Sequence, residues 1–324
     1  MYPADVRQDR PVEVFMAHMD VVFPDESELP LRVEDGRIYC PGVGDDTACL
    51  VCLLLAGKYI AEHVDSPQWR EIRREDAPGL LLVCNAGEEG LGNLKGVHKI
   101  CEDFGDRIER FCTFDSSLSS IVDRAVGSKR FRVRVRTRGG HSYDDFGNDN
   151  AIAGLASLVG KLYGIRVPEG GKTTYNVGMI SGGTSVNTIA QEAEMLYEFR
   201  SDRRENLEYM EWQFMEVFDR AKAEGMDVSF KVIGVRPCEG QVDPKRKQAL
   251  SDWAHRVVEE MTGQAPKHCA GSTDCNIPLS LGIPSVCVGS FRGAGAHTWE
   301  EYVETDSLEE GYKVAFGMIF GSRD

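Results

Sequence analysis

Acids and histidines stand at the ends of apolar runs along this chain. VEVFMAHMD ends on His18 and Asp20, PGVGDDTA sets Asp45 and Asp46 in a glycine-rich turn, and LLLVCNAGEEG ends on Glu88 and Glu89. FCTFDSS carries Asp115 and SVCVGSFRGAGAHTWEE carries His297. A run of Val, Leu and Phe that breaks into carboxylates or imidazole puts costly polar groups at a sheet edge, where charge is rarely left without a partner or a metal. In open parallel sheets that edge is where ligands bind. Two imidazoles and several carboxylates converging there form a sensible ligand set for a pair of divalent cations, zinc first.

Each local signal has a plainer reading beside it. Residues two apart on a strand share a face, so Asp20 can orient the His18 ring, or the pair can merely bind water at a strand end. Asp45 and Asp46 precede a helix and could cap it, and one can do so while the other bridges two cations. Adjacent acids such as Glu88 and Glu89 repel unless one meets a cation and the other holds a proton for part of a cycle; a solvated loop pair is the alternative. Asp115 and His297 gain meaning only with the rest of the set.

The elements that must position these residues follow from periodicity. Residues 12–18, 80–85, 111–115 and 284–289 are short apolar runs, as expected of strands buried on both faces. Residues 46–63, 244–262 and 305–320 read as helices, which together imply an α/β layer architecture. The middle differs. KRFRVRVRTRGG alternates with period two, a small-residue helix follows at 149–163, then strands TTYNVGMIS and EAEMLYEFRS, a helix near 205–224, and strand DVSFKVIGV. That β-α-β-β-α-β order is ferredoxin-like and lies between the two parts of the α/β region. The expected organisation is a discontinuous catalytic domain, 1–121 and 239–324, with an inserted α+β domain at 122–238.

Composition bounds the class. At 324 residues the chain exceeds one core, and its net charge of -15 with no long basic run argues against nucleic acid or an anionic membrane as partner. No apolar stretch approaches the ~20 residues of a membrane span, and MYPADVRQDRP has no secretory h-region. The ten cysteines are scattered in mostly apolar context and read as reduced packing residues of a cytoplasmic protein. Cys49 and Cys52 form a C-x-x-C inside a helical run, with no second pair at metal-ligand spacing.

Taken together, HMD, GDD opening a helix, GEEG, an aspartate after a strand, GGH opening an inserted domain and a late histidine resemble the co-catalytic dinuclear zinc exopeptidases and deacylases. That family includes peptidase T, glutamate-releasing carboxypeptidases, acetylornithine deacetylase and succinyl-diaminopimelate desuccinylase. The resemblance runs from about residue 12 to the C-terminus and rests on the order of the motifs. It implies a three-layer α/β catalytic domain of the zinc-exopeptidase type with a ferredoxin-like lid and dimerisation domain. By the same resemblance His18 is a metal ligand with Asp20 as its orienter, Asp45 bridges both metals, Glu88 is the general base, and Glu89, Asp115 and His297 complete the ligands. His141, in RGGHSYDDFG, matches a lid histidine that reaches the neighbouring subunit's site. Asn187 and Arg200 match substrate-binding positions, the arginine gripping a carboxylate. Without the resemblance, Arg200 reads equally as a salt bridge to Glu198 or Asp202. The GGTSVN segment lacks the P-loop lysine and reads as a substrate loop. His63, His98, His255 and His268 read as surface or packing residues.

Two departures from the family stand out. Only about a dozen residues precede the HMD strand, where relatives commonly carry helical structure; the missing packing would weaken the fold or leave core surface exposed. Thr47 follows Asp46 where many relatives have lysine. The reading is a cytoplasmic metallopeptidase, an exopeptidase of the tripeptidase type (an aminopeptidase, or one cleaving from the carboxyl end), using two divalent ions per subunit, Zn2+ or else Co2+ or Mn2+. A deacylase of N-acyl amino acids and an inactive metal-binding relative acting through dimer or partner contacts are the alternatives.

Overall fold

The computed structural model describes residues 10–23, 28–67 and 77–321. The chain divides into two compact units, Met1–Ala125 with Glu239–Asp324, and Val126–Cys238.

In the first unit, β1 (Val12–His18), β4 (Gly79–Asn85), β5 (Ile108–Phe114), β6 (Ser120–Ala125), β13 (Lys267–Gly271) and β14 (Ser285–Val288) form a six-stranded sheet, in the order β13-β6-β14-β5-β1-β4. Because β6 continues in this sheet to Ala125, the division between units falls after it rather than near 122. Strand β1 lies between β4 and β5, parallel to both, and β14 runs parallel to β5 on the far side. Only β14 with β6 is antiparallel among the pairings of this sheet's described residues. The carboxyl ends of β1, β4, β5 and β14 therefore meet at one edge.

Every residue of β1 is buried. Phe15 and Ala17 pack in one core with helix α1 (Cys49–His63) and the helices Pro244–Thr262 and Ser307–Phe320. Val12, Val14 and Met16 pack in another with the helix Lys95–Phe104 and the short helix Asn276–Ser280. Alternation along the strand thus feeds both faces, which gives three layers. Glu13 interrupts the apolar run and is 1% exposed. Its carboxylate accepts a hydrogen bond from Arg110 Nε at 2.6 Å, its register partner on β5. A buried charge is tolerable only with such a partner.

Helix α1 begins at Cys49, not at 46; residues Val43–Ala48 form a wide π-type turn in which Asp45 and Asp46 leave helical geometry. Val51, Leu54 and Leu55 of α1 are exposed by 46%, 54% and 41%, so apolar surface is open on this helix. Four short strands that periodicity is too brief to reveal, β2 (Arg32–Glu34), β3 (Arg37–Tyr39), β15 (Gly293–Ala294) and β16 (Tyr302–Glu304), make a second sheet. All ten cysteines are free thiols.

The second unit has the four-stranded antiparallel order β12-β7-β11-β9, from β7 (Gly127–Arg136), β9 (Thr173–Gly182), β11 (Glu192–Ser201) and β12 (Asp227–Arg236). The helices Ala151–Tyr163 and Arg204–Ala223 cover one face over Phe131, Val133, Met195 and Tyr197, with Phe214 of the second helix packed into the same core. Asn150 caps the first helix by accepting the Ile152 amide at 2.9 Å. The opposite face carries cross-strand pairs, among them Arg134 with Glu194 at 2.8 Å and Arg136 with Glu192 at 2.9 Å. A two-stranded pair, β8 (Gly140–His141) with β10 (Thr188–Ile189), completes the unit. Among the described residues no helix is long and apolar enough to cross a membrane.

Candidate metal and catalytic centre

His18 is the last residue of β1 and is 1% exposed. Its Nε2 lies 3.1 Å from Asp45 Oδ1 and 4.0 Å from Asp115 Oδ1. On the other side of the same carboxylate, His297 Nε2 lies 3.0 Å from Asp45 Oδ2 and 3.1 Å from Glu89 Oε1. Asp45 therefore presents one oxygen to each imidazole. His297 holds a left-handed backbone, φ 66, unusual outside glycine and of a kind that collects at functional sites.

The strand order explains the convergence. Asp115 follows β5, Glu88 and Glu89 follow β4, and both strands flank β1 in parallel register. Asp45 comes from the turn before α1, whose Asp45–Asp46 peptide is cis. Neither acid of that turn takes the helix's cap position, which falls on Ala48 and makes no side-chain capping hydrogen bond. Asp46 instead turns inward, 1% exposed, and its Oδ2 accepts the His18 amide at 2.9 Å.

Asp20 departs from its expected role in one respect. The nearest acceptor to His18 Nδ1 is the Asp20 backbone carbonyl, at 2.9 Å, while the carboxylate Oδ1 stands 3.7 Å away. That carboxylate accepts the amides of Gly87 and Glu89, each at 2.9 Å, and of Glu88 at 3.4 Å. It fixes the turn that carries both glutamates, which are 5% and 9% exposed. A contributor that the sequence motifs did not single out is Glu301, 2% exposed, which accepts the amides of Gly42, Gly44 and Asp45 at 2.7 to 2.9 Å. Two adjacent acids, Glu300 and Glu301, carry no local signal that distinguishes the exposed one from the buried one.

Crowded carboxylates in a buried site hold protons that exposed ones do not. Burial, then repulsion from Asp45 and Glu88, pushes Glu89 up to about 7. Burial and Glu88 raise Asp115, and burial and Asp115 raise Asp46, each well above the carboxylate range. For His18 burial opposes the charge, but Asp45, Asp46 and Asp115 outweigh it and lift the imidazole to about 11. Such a site is short of positive charge. Three sets of ligand atoms lie within 4.8 Å of one another: Asp45, Glu89 and His297; His18, Asp46 and Asp115; and His18, Glu88 and Glu89. Nitrogen and carboxylate donors in overlapping sets fit divalent cations. A pocket of about 180 Å3 adjoins Asp45 and Asp115, walled by Ser116, Ser117, Phe291 and Ala296.

The remaining expected residues belong to the second unit. His141 is half exposed, with Nδ1 3.2 Å from Asp144. Asn187 Oδ1 accepts from Ser185 in the loop before β10. Arg200 donates from Nε and Nη2 to Glu198, at 2.8 and 3.1 Å, which is the salt bridge that competed with the substrate reading. His255 and His268 share a hydrogen bond of 2.9 Å, and His268 Nδ1 lies 2.6 Å from Asp123; His63 stacks on Tyr59.

Comparison with known proteins gives the family and the fold. The profile of Peptidase family M20/M25/M40 matches residues 14–320. Succinyl-diaminopimelate desuccinylase of Bordetella parapertussis is 24% identical over 319 residues, 92% of this chain and 79% of that protein. Acetylornithine deacetylase of Myxococcus xanthus is 25% identical over 291 residues, 86% of this chain and 71% of that one. Among solved structures, aminopeptidase PepT of Bacillus cereus superposes with a TM-score of 0.68 at 22% identity, over 98% of this chain and 82% of its own, a likeness of fold. The chain belongs to peptidase family M20/M25/M40, a family of metal-dependent hydrolases acting on peptide and amide bonds. The α/β catalytic architecture with an added α+β unit is that of this family.

Proposed function

We propose that this hydrolase is an exopeptidase of the tripeptidase type working with two cations per subunit, zinc by preference. The observation that carries the reading is Asp45 standing between two imidazoles, with Oδ1 3.1 Å from His18 and Oδ2 3.0 Å from His297. In this reading His18 and Asp115 would hold one cation and Glu89 and His297 the other, with Asp45 available to both. When bound, the cations supply Lewis acidity that polarises the scissile carbonyl and acidifies water. The Glu88 carboxylate, beside ligand Glu89 and assigned to neither cation in this reading although it lies within ligand distance of His18 and Glu89, takes the proton from the attacking water and returns it to the leaving amine nitrogen. Asp20 orients the Glu88 turn through its amides. His141, Asn187 and Arg200 bind substrate in the same reading, Arg200 by exchanging Glu198 for a substrate carboxylate.

A homodimer through residues 126–238 is part of this proposal. The edge strand β9 supports it, since Met179 and Ile180 are exposed by 65% and 58%. A cytoplasmic location accords with the free thiols. The deacylase reading stands second, supported by the desuccinylase and deacetylase relatives. Mass spectrometry of di- and tripeptides and N-acyl amino acids incubated with the zinc-, cobalt- or manganese-loaded protein decides: release of a terminal residue from tripeptides is expected. Turnover confined to N-acyl amino acids would replace the first reading with the second, and no turnover of either would favour an inactive relative.

A further inference from the structure

Glu301 is a buried carboxylate with no place in the ligand set. Its Oε1 accepts the amides of Gly44 and Asp45, at 2.9 and 2.8 Å, and its Oε2 accepts that of Gly42 at 2.7 Å. Its backbone carbonyl accepts the Cys40 amide at 3.1 Å. The contact is closely fitted: a Cβ added at Gly44 would meet the Phe291 ring at 2.6 Å and Glu301 Oε1 at 3.1 Å. Four residues before Glu301, on the same short segment, His297 faces Asp45 Oδ2. One segment thus supplies an imidazole and clamps the turn that supplies the carboxylate facing it.

The other half of the site repeats this relationship. His18 is followed by Asp20, whose carboxylate accepts the amides of Gly87, Glu88 and Glu89. Each imidazole is accompanied on its own segment by an acid that fixes an acidic turn through its amides. Hydrogen bonds to a charged acceptor are the stronger kind, and buried ones hold their partners most firmly.

We propose that Glu301 is a positioning residue, which sets Asp45 between His18 and His297 and so fixes the paired cation site. The inference rests on the dinuclear reading above. Glutamine at this position keeps the shape, but its NH2 would face the Gly42 amide, donor against donor.

The test is zinc titration against a competing chelator, on wild type, Glu301→Gln and His297→Ala, with the melting temperature of each metal-free protein measured alongside. Glu301→Gln is expected to bind at least one zinc about 10- to 100-fold more weakly, the usual effect of losing a group that orients a ligand. Zinc affinity equal to wild type, with only the metal-free melting temperature lowered, would make Glu301 a structural anchor and overturn the proposal. Wild type binding fewer than two zinc ions would instead overturn the dinuclear reading, and the proposal with it. If Glu301→Gln does not fold, amide hydrogen exchange of the metal-free wild type decides. Protection of Gly42, Gly44 and Asp45 at the level of β1 is expected, and exchange at the rate of an open loop would contradict the clamp.

Discussion

Asp45 and His297 meet at 3.0 Å although they come from opposite ends of the chain, and the oxygen of Asp45 that His297 does not face is turned to His18. If that carboxylate is shared by two cations, its loss differs in kind from the loss of either histidine. Asp45→Ala is expected to retain less than one equivalent of zinc after dialysis. His297→Ala should keep close to one, held by His18 and Asp115. Elemental analysis of the dialysed proteins measures both, and equal contents would remove the bridging role.

The metal-free protein has a predictable response to pH. Glu89 is raised to about 7 in the fold from an ordinary value of 4.5, so the folded state holds its proton more tightly than the unfolded state does. That contribution is complete below about 4.5 and is lost as pH rises through about 7. His18, raised from 6.5 to about 11, acts in the same direction, losing its contribution as pH rises from 6.5 toward 11. Asp45 is lowered by His18 and His297 against its burial, and its contribution is lost only at acid pH, below the ordinary carboxylate value of 3.8. The melting temperature of chelator-treated protein should therefore fall between pH 5 and 8. Zinc should remove or reverse the slope, because cations bind the deprotonated carboxylates and compete with protons. A metal-free melting temperature that climbs across this range would contradict the assignment.

Arg200 is held by Glu198 through Nε and Nη2. If it also grips a substrate carboxylate, Arg200→Ala should impair free-acid peptides more than their C-terminal amides by ~1.5–3 kcal/mol in kcat/KM, roughly 10- to 150-fold. Equal losses on both substrates would leave Arg200 a structural ion pair.

The Glu13–Arg110 pair makes a prediction about stability alone. Arg110→Ala leaves the buried Glu13 charge without this partner and should cost about 3–5 kcal/mol in denaturant unfolding. A loss below about 1 kcal/mol, the scale of a surface pair, would mean that the charge is compensated elsewhere.

The acids at the strand ends were legible because a buried strand that breaks into charge is a strong local pattern, and parallel order then brings such ends together. His18, Asp115, Glu88 and Glu89 follow that logic. Contacts made by backbone amides were not legible. Nothing in the local sequence says that Glu301 accepts three amides from the 42–45 turn, or that Asp20 spends its carboxylate on the 87–89 turn. The acid pair at 45–46 illustrates the same limit. Capping is a local rule that suited the sequence, but Asp46 is drawn inward to the amide of His18, on a strand far away in the chain. The antiparallel pairing of β14 with β6 and the three-residue strands β2, β3 and β16 escaped for a related reason: register and partner are tertiary properties, and three residues cannot establish a period.

In the proposed function Glu88 is the base of peptide-bond hydrolysis and Glu89 a metal ligand. The most direct measurement is metal content together with kcat on a tripeptide for Glu88→Gln and Glu89→Gln. Glu88→Gln should keep the wild-type metal content and lose at least ~100-fold in kcat, the lower scale for removing a general base. Glu89→Gln should lose metal as well as activity. Glu88→Gln turning over at the wild-type rate with full metal content, or losing metal as Glu89→Gln does, would contradict the account.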